Sequence, residues 1–165
     1  MLLWWVTRDL VRGADDTARR QLRAYIGIKE GHMEFKGQLD YVAVRIEMFN
    51  AGSTPAHKFR FSISCDIRPA EGYLVEDGSL KSAVEGGILM VPGASSWLNC
   101  GVKINAAERN ALRADTSIVL VHGLVEYSDL FGEDRYYKFS FINQAMPSGT
   151  LHWGLQPSKF PSEAN

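Results

Sequence analysis

The stretch Val42-Ala-Val-Arg-Ile-Glu-Met48, the turn Asn50-Ala-Gly-Ser-Thr-Pro-Ala56 and the run Phe59-Arg-Phe-Ser-Ile-Ser-Cys-Asp-Ile67 together decide the fold class. Apolar and polar residues alternate strictly on both sides of a cluster of turn-forming residues. This period of two predicts two half-buried strands joined by a short connection. Such strands form an antiparallel sheet with one buried face and one face towards water.

Further strands are predicted on both sides of this pair. Alternation recurs at 22–28, 97–104, 118–127 and 136–142, and short apolar runs lie at 32–35, 73–75 and 88–91. Asn105-Ala-Ala-Glu108 predicts a capped helix over 105–114, because Asn and a Glu three residues later can satisfy each other's backbone amides. We therefore predict an all-β fold, an immunoglobulin-like antiparallel β-sandwich with one short crossover helix and an N-terminal helix. The strands that carry Val42 and Val121 have no cysteine, so the inter-sheet disulfide of antibody domains is absent.

The chain divides into three predicted parts. Residues 1–20 form an N-terminal helical, membrane-proximal segment, and residues 21–144 form the sandwich domain. Residues 145–165 show little periodicity and contain Pro147, Gly149, Gly154, Pro157 and Pro161, which predicts a flexible C-terminal tail.

The N-terminal segment has two interpretations of equal weight. Leu2, Leu3, Trp4 and Trp5 precede a run rich in arginine, which is typical of the end of a membrane helix with an aromatic belt and basic flanks. That interpretation implies association with a membrane and places the domain on the cytoplasmic side, at the inner face of the membrane. The other interpretation is an amphipathic helix docked on its own domain. The apolar run itself is much shorter than the roughly 20 residues that span a bilayer.

Composition argues against nucleic acid as a partner and does not decide whether the two cysteines are oxidised. The chain has 165 residues and a net charge of -1, which gives no electrostatic support for binding nucleic acid. Cys65 and Cys100 both fall on the apolar phase of their strands, which favours two buried thiols over a disulfide. The redox state of the pair stays open at this stage.

Three segments resemble a group of uncharacterised bacterial and prophage proteins. They are Arg19-Arg-Gln-Leu-Arg-Ala-Tyr-Ile26, Asn50-Ala-Gly-Ser-Thr-Pro-Ala56 and His122-Gly-Leu-Val-Glu-Tyr-Ser-Asp-Leu-Phe-Gly132. Members of that group carry an N-terminal membrane helix directly before the arginine-rich motif. The resemblance implies a membrane-proximal β-sandwich and implies no activity.

Motifs of catalysis, cofactor binding and metal binding are absent from the sequence. His32, His57, His122 and His152 have no His or Cys at metal-ligand spacing, and no phosphate loop or nucleophile elbow is present. Carboxylate pairs such as Glu133 and Asp134 stand at turn positions, where solvated hairpin residues are common. We therefore predict a protein that is not an enzyme and has no cofactor.

The strands on both sides of residue 130 suggest a contact surface. Residues 118–125 carry apolar residues on both phases, which indicates a strand covered on both faces by its own chain or by a second chain; cover by its own chain is favoured. We predict Asp129, Phe131, Arg135 and Tyr136 as contact residues for a protein partner or a second copy, with Asp129 also capping its own turn. The hypothesis is a non-enzymatic interaction module, which the first interpretation of the N-terminal segment would tether to a membrane. One alternative is a carbohydrate-binding or other small-ligand module of jelly-roll type that uses Trp97, Tyr73 and Trp153, and another is a phage-encoded inhibitor of a host protein.

Overall fold

Two helices and nine strands make up the part of the chain that the structure describes. A computed structural model describes residues 2–36, 40–71, 83–143, 152–157 and 163–164. The elements, in chain order, are α1 (Leu2–Gln21), β1 (Ile26–Lys36), β2 (Tyr41–Asn50), β3 (Ala56–Pro69), β4 (Ala83–Met90), β5 (Ser95–Lys103), α2 (Ala106–Arg113), β6 (Ser117–Ser128), β7 (Asp134–Asn143), β8 (His152–Pro157) and β9 (Glu163–Ala164). The run predicted at 73–75 lies outside the described residues.

All strand pairs are antiparallel, and they form two sheets that pack face to face. One sheet has the order β8-β1-β2-β5 and the other has the order β4-β3-β6-β7. β8 pairs with β1 through Met33↔Trp153 and with β7 through Asn143↔Leu155, so it belongs to both sheets. The path of pairing ends at β4 in one sheet and at β5 in the other. The sheets are thus joined by backbone hydrogen bonds along one side.

The predicted alternation places the core correctly. Every second residue of β2 points inwards, and Val42, Val44, Ile46 and Met48 are at most 1% exposed. Side chains of the other sheet complete the same cluster, among them Phe59, Cys65, Val119, Val121, Val125 and Phe139. Apolar burial of this kind contributes about 25 cal/mol per Å² and holds the two sheets together. The all-β fold with two helices is confirmed, and α1 occupies the segment for which a helix was predicted.

The capping box of α2 is also confirmed. The Asn105 side chain accepts a hydrogen bond from the Glu108 amide at 2.9 Å, and the Asn105 amide donates to the Glu108 carboxylate at 2.8 Å. α2 then places Leu112, which is fully buried, in the main core. The helix therefore contributes to the sandwich core at the end of the strands opposite to Asn50.

The outer phase of β6 is buried as well. Ile118 and Leu120 form a second apolar cluster with Ala70 and Ile142, and Leu120 is 1% exposed. Since these residues are covered within a single chain, the prediction that the chain covers both faces of this strand is confirmed. The apolar outer phase therefore does not by itself indicate a second chain.

His122 lies on this same buried outer phase and is 4% exposed. Burial lowers the pKa of its imidazole below the ordinary value, while the nearby Asp66 opposes the shift and Arg68 adds to it. The folded protein therefore holds His122 neutral at pH values where the unfolded chain already binds a proton.

This difference predicts a loss of stability in mild acid. As the pH falls below about 6.5, the unfolded state takes up the proton first, so the free energy of unfolding should fall by up to about 1.4 kcal/mol per pH unit until the folded pKa is reached. Urea unfolding between about pH 7.5 and pH 5 should show a smaller decline for His122→Gln than for the natural chain. The control is His57→Gln, which changes an exposed histidine. Parallel curves for all three proteins would contradict the expectation.

Several boundaries differ from the sequence prediction: the runs predicted at 22–28 and 32–35 fall in one strand, β1, and the run predicted at 88–91 falls in β4, which begins at Ala83. The strand predicted from Leu22 begins at Ile26, because the backbone of residues 23–25 bonds to the turn after β2. Residues 145–165 were assigned no strand, whereas β8 and β9 lie within them and pair with β1 and β7. β8 has only six residues and contains Gly154 and Pro157, so it offers too short a run for alternation to mark it as a strand.

Candidate functional site

Four connecting segments meet at one end of the sandwich, which we call the loop end. They are the linker 22–25, the turn 51–55, the connection 91–94 and the turn 129–133. The pairs Ile26↔Asn50, Phe49↔Ser95 and Ser128↔Asp134 bring the corresponding strand ends together. The helix α1 also ends here, at Gln21. The loop end thus contains two of the four residues that the sequence predicted for contact, Asp129 and Phe131.

The Asn50 side chain ties three of these segments together. It is 1% exposed. Its Oδ1 accepts hydrogen bonds from the amides of Tyr25 at 3.2 Å and Gly52 at 2.9 Å. Its Nδ2 donates to the carbonyls of Thr54 at 2.8 Å and Met90 at 3.0 Å. One amide side chain therefore uses both oxygen lone pairs and both N–H groups, and it holds the linker, the turn and the end of β4 in fixed positions.

The linker between α1 and β1 is held by further bonds along its length. The Thr54 hydroxyl donates to the Leu22 carbonyl at 2.7 Å, and the buried Tyr127 hydroxyl donates to the Ala24 carbonyl at 3.1 Å. The turn amide of Ala51 donates to the Tyr25 carbonyl at 2.8 Å. The direction in which α1 leaves the sandwich is therefore set by the domain itself.

Gly52 is the point of closest approach between the turn and the linker. A Cβ atom at this position would lie 2.2 Å from the Arg23 carbonyl oxygen and 2.6 Å from the Ala24 Cα, both of them backbone atoms that cannot swing aside. The sequence showed this glycine only as part of a turn cluster, because its close contact is with residues far away in the chain.

Gly52→Ala should destabilise the fold by roughly 2–3 kcal/mol, because overpacking forces the linker away from its hydrogen bonds. The matched control is Gly13→Ala within α1, where a Cβ meets nothing within 4 Å and should instead stabilise the helix by up to about 1 kcal/mol. Chemical unfolding of both variants measures the difference. If Gly52→Ala proves as stable as the natural chain, the close packing of linker against turn is wrong.

A second buried side chain, Asp129, organises the turn between β6 and β7. Its Oδ1 accepts from the amides of Phe131 at 2.9 Å and Glu133 at 3.0 Å, and its Oδ2 accepts from Arg135 Nε at 3.2 Å. The Asp129 side chain is fully buried and that of Arg135 is 12% exposed. The predicted Asx turn is confirmed. Since both carboxylate oxygens accept hydrogen bonds within the chain, Asp129 fixes the shape of the turn.

Phe131 stands on the outside of this turn. The residue is 37% exposed, and the Arg19 guanidinium of α1 lies 5.3 Å from the ring centroid. A cation at this distance over an aromatic face is attracted by the ring quadrupole. Phe131 thus connects α1 with the turn while leaving part of its surface open to a partner.

The other two predicted contact residues, Arg135 and Tyr136, line a shallow groove of about 290 Å³ beside the turn. Its remaining walls are Lys58, Arg60, Glu126, Tyr127, Ser128 and Asp134. Lys58 has a left-handed backbone, with φ of 50°, where the pairing of β3 shifts register. This irregularity in β3 forms one wall of the groove. Basic groups outnumber acidic groups along the groove by three to two.

Large exposed apolar side chains are concentrated at or beside the loop end. Among the described side chains, six of the eight lie in these segments or, for Leu89, on the adjoining end of β4: Leu22, Tyr25, Leu89, Val91, Leu130 and Phe131. Sequence reasoning found Phe131 but missed Leu22 and Tyr25, because their alternation with Ala24 and Ile26 is the same as that of a strand. The one sequence signal for these two residues was Asn50, because an Asn side chain at a turn can hydrogen-bond the backbone of a neighbouring segment.

A separate aromatic patch lies on the outer face of the sheet β8-β1-β2-β5. Trp97 is 39% exposed, with the Arg45 guanidinium 4.7 Å from its ring centroid and the His32 ring 6.3 Å away at an angle of 31°. Tyr73 and the side chain of Trp153, which were predicted to share a platform with Trp97, lie outside the described residues.

Comparisons with known proteins give one distant structural likeness. No protein-family model matches the chain, and no curated protein does so. A crystal structure from Bordetella pertussis, described as an ApaA protein, shares 18% identity and a TM-score of 0.46 and covers 76% of this chain and 96% of its own. Of the described helices, none is both long enough and apolar enough to cross a bilayer. Within the described ranges, no cluster of three or more His, Cys, Asp or Glu residues is placed to hold a metal.

Proposed function

We propose that this protein is a non-enzymatic interaction module, an immunoglobulin-like sandwich that binds a protein partner through the loop end. The observation that carries the proposal is the set of exposed apolar side chains held there on connections whose backbones are fixed by Asn50 and Asp129. Binding residues are often presented on loops that a rigid scaffold positions, and exposed apolar patches mark interaction sites. Because the connections are already ordered, a partner need not bear the entropy cost of ordering them.

The charges around these side chains favour a partner with acidic groups. Arg19 and Arg20 are exposed at the end of α1, and Lys58 and Arg60 are exposed at the groove. Complementary charges steer encounter and fix orientation more than they add affinity. The expected partner surface therefore combines apolar side chains for the loop end with carboxylates for the groove and the end of α1.

A membrane tether through Leu2, Leu3, Trp4 and Trp5 is part of the same proposal. These residues begin α1, and a helix of its 20 residues is about 30 Å long. The other end of α1 is attached to the loop end by the fixed linker. A tether at its start would hold the binding surface near the membrane, on the cytoplasmic face if the arginines that follow set the orientation.

The experiment is site-specific photo-crosslinking in the cells that make this protein. A photoreactive amino acid at Leu130 should give an adduct of defined mass, and the same amino acid at Asn110, exposed on α2, should not. Lys58→Glu together with Arg60→Glu should reduce the adduct at Leu130 several-fold. An adduct of twice the chain mass would identify a second copy as the partner. Equal labelling from both positions, or none from either, would contradict the proposal.

A second candidate function is carbohydrate binding on the outer face of the sheet β8-β1-β2-β5. It is favoured by the exposure of Trp97, since an aromatic platform of this kind must be open to solvent. Arg45 already lies over this ring, so a sugar would have to displace it or use the free edge. A glycan-binding screen of the natural chain against Trp97→Ala tests this candidate, which fails if the two profiles are the same.

A further inference from the structure

The two free thiols of the chain meet in the core between the sheets. Cys65 lies on β3 opposite Val121, and Cys100 lies on β5 opposite Val44, so each belongs to a different sheet. Cys65 is buried and Cys100 is half-buried at the edge of the same apolar cluster. Both side chains belong to one apolar cluster where β3 packs against β5, and the Cys100 thiol raises the pKa of the Cys65 thiol. Sequence reasoning placed both thiols on inward phases but could not show that they face one another.

The position of this pair in the sheet order is distinctive. β8 joins the two sheets by backbone pairing along one side, whereas the path of pairing ends at β4 and β5 on the other side. β5 is one of these two end strands, and β3 lies next to the other, β4. β3 and β5 pack against each other. A covalent bond between Cys65 and Cys100 would therefore tie the side of the sandwich on which the described strands of the two sheets do not pair with each other.

We propose that Cys65 and Cys100 form a reversible inter-sheet disulfide when the protein meets a disulfide oxidant. The inference is independent of the proposed binding function, because it concerns the core and not the loop end. It adds a modification site whose two states differ in whether the sheets are covalently joined on this side.

The chemistry proceeds by thiol–disulfide exchange in two steps. Cys100, the more exposed member, loses its proton to solvent, and its thiolate attacks one sulfur of an external disulfide RSSR, which forms a mixed disulfide and releases RS⁻ that takes up a proton to give one RSH. Cys65 then loses its proton to solvent and attacks the Cys100 sulfur, which forms the Cys65–Cys100 bond and releases the second RSH. The two thiols are oxidised by two electrons, and RSSR is reduced to two RSH.

The environment of Cys65 makes it the slower member. The Cys100 thiol, together with burial, raises the pKa of the Cys65 thiol far above the ordinary value. The thiolate is the reactive form, so a raised pKa disfavours direct attack by Cys65 on an oxidant. Its place in the same cluster as Cys100, on the strand that packs against β5, nevertheless favours the second step, because attack within one molecule needs no encounter.

Intact-mass spectrometry of the full chain, reduced and then treated with oxidised glutathione, tests the proposal. The expected product has lost two hydrogens and carries no glutathione, and a peptide map should join the segments that contain Cys65 and Cys100. Its unfolding temperature should rise by roughly 5–10 °C and return on reduction, because the bond closes the loop from residue 65 to residue 100.

Control variants and the unfolded chain make the outcome decisive. Cys100→Ser changes the half-buried member and should abolish the mass loss, while the exposed-site change His57→Gln should leave it intact. The chain unfolded in urea should form the bond with the same oxidant, which shows that the reagent is competent. If the folded chain gains only glutathione adducts, forms only intermolecular dimers or stays reduced while the unfolded chain is oxidised, the proposal is overturned.

Discussion

Asn50→Asp should lower the free energy of unfolding by about 4–5 kcal/mol near neutral pH, the largest loss we expect from one change of this size. The two side chains have nearly the same shape, so packing is kept. The Nδ2 group, which donates to the carbonyls of Thr54 and Met90, is replaced by an oxygen that can donate to neither when ionised. A negative charge would then be buried against two carbonyl oxygens.

The effect should depend on pH in a defined direction. Burial and the two carbonyls raise the pKa of the introduced carboxyl in the folded state above that in the unfolded chain, about 3.9. A group with a raised folded pKa stabilises the fold when protonated, and that contribution is lost as the pH rises through the folded value. The gap between variant and natural chain should therefore narrow as the pH falls from about 7 towards 4.

Urea unfolding at a series of pH values measures this gap. Asn99→Asp is the matched control, since Asn99 is exposed on β5 and the same change should stay within about 0.5 kcal/mol. A gap of less than about 1 kcal/mol for Asn50→Asp, or a gap that does not change with pH, would show that Asn50 does not hold the loop end together.

Asp129→Ala is expected to cost about 3–5 kcal/mol, because it leaves the largely buried Arg135 guanidinium without its carboxylate. It also removes the acceptor for the amides of Phe131 and Glu133. Asp129→Asn should cost less than Asp129→Ala, about 2 kcal/mol. Its Oδ1 can still accept from both amides, but its N–H₂ group faces the Arg135 side chain, which is also a donor.

The same unfolding measurement separates this pair from an ordinary surface ion pair. The control is Asp15→Ala, which removes the partner of Arg19 at an exposed pair on α1 with side chains 49% and 62% exposed. Such pairs contribute up to about 0.5 kcal/mol. We expect the largest loss of unfolding free energy for Asp129→Ala, a smaller loss for Asp129→Asn and the smallest for Asp15→Ala. An equal loss for Asp129→Ala and Asp15→Ala would contradict the buried role of Asp129.

Sequence reasoning reached the sheets more easily than the site. Alternation around Asn50 marks β2 and β3 because every second side chain meets the core, a local rule that needs no knowledge of the partner strand. The role of Asn50 itself is set by Met90 and Tyr25, which lie 40 and 25 residues away. Contacts over such separations leave no periodic trace, so the frame of the loop end could only be seen in the fold.

Individual residues show the same division. Asp129 was predicted as a turn cap because its partners Phe131 and Glu133 follow within four residues. That its carboxylate is fully buried against Arg135 depends on the packing of β6 and β7, which the local sequence does not reveal. Leu22 was predicted to lie in a strand, since an exposed linker with alternating residues cannot be told from a strand edge by pattern alone.

The double membership of β8 bears on how the chain reaches its native state. β1 leaves the ribosome long before β8, yet its edge stays unsatisfied on that side until β8 is made. Pairings between segments so far apart form slowly, and an open strand edge invites association with other chains. We expect the nascent chain to be most exposed to chaperones and to misassembly during that interval. The interval ends when β8 pairs with β1 in one sheet and with β7 in the other.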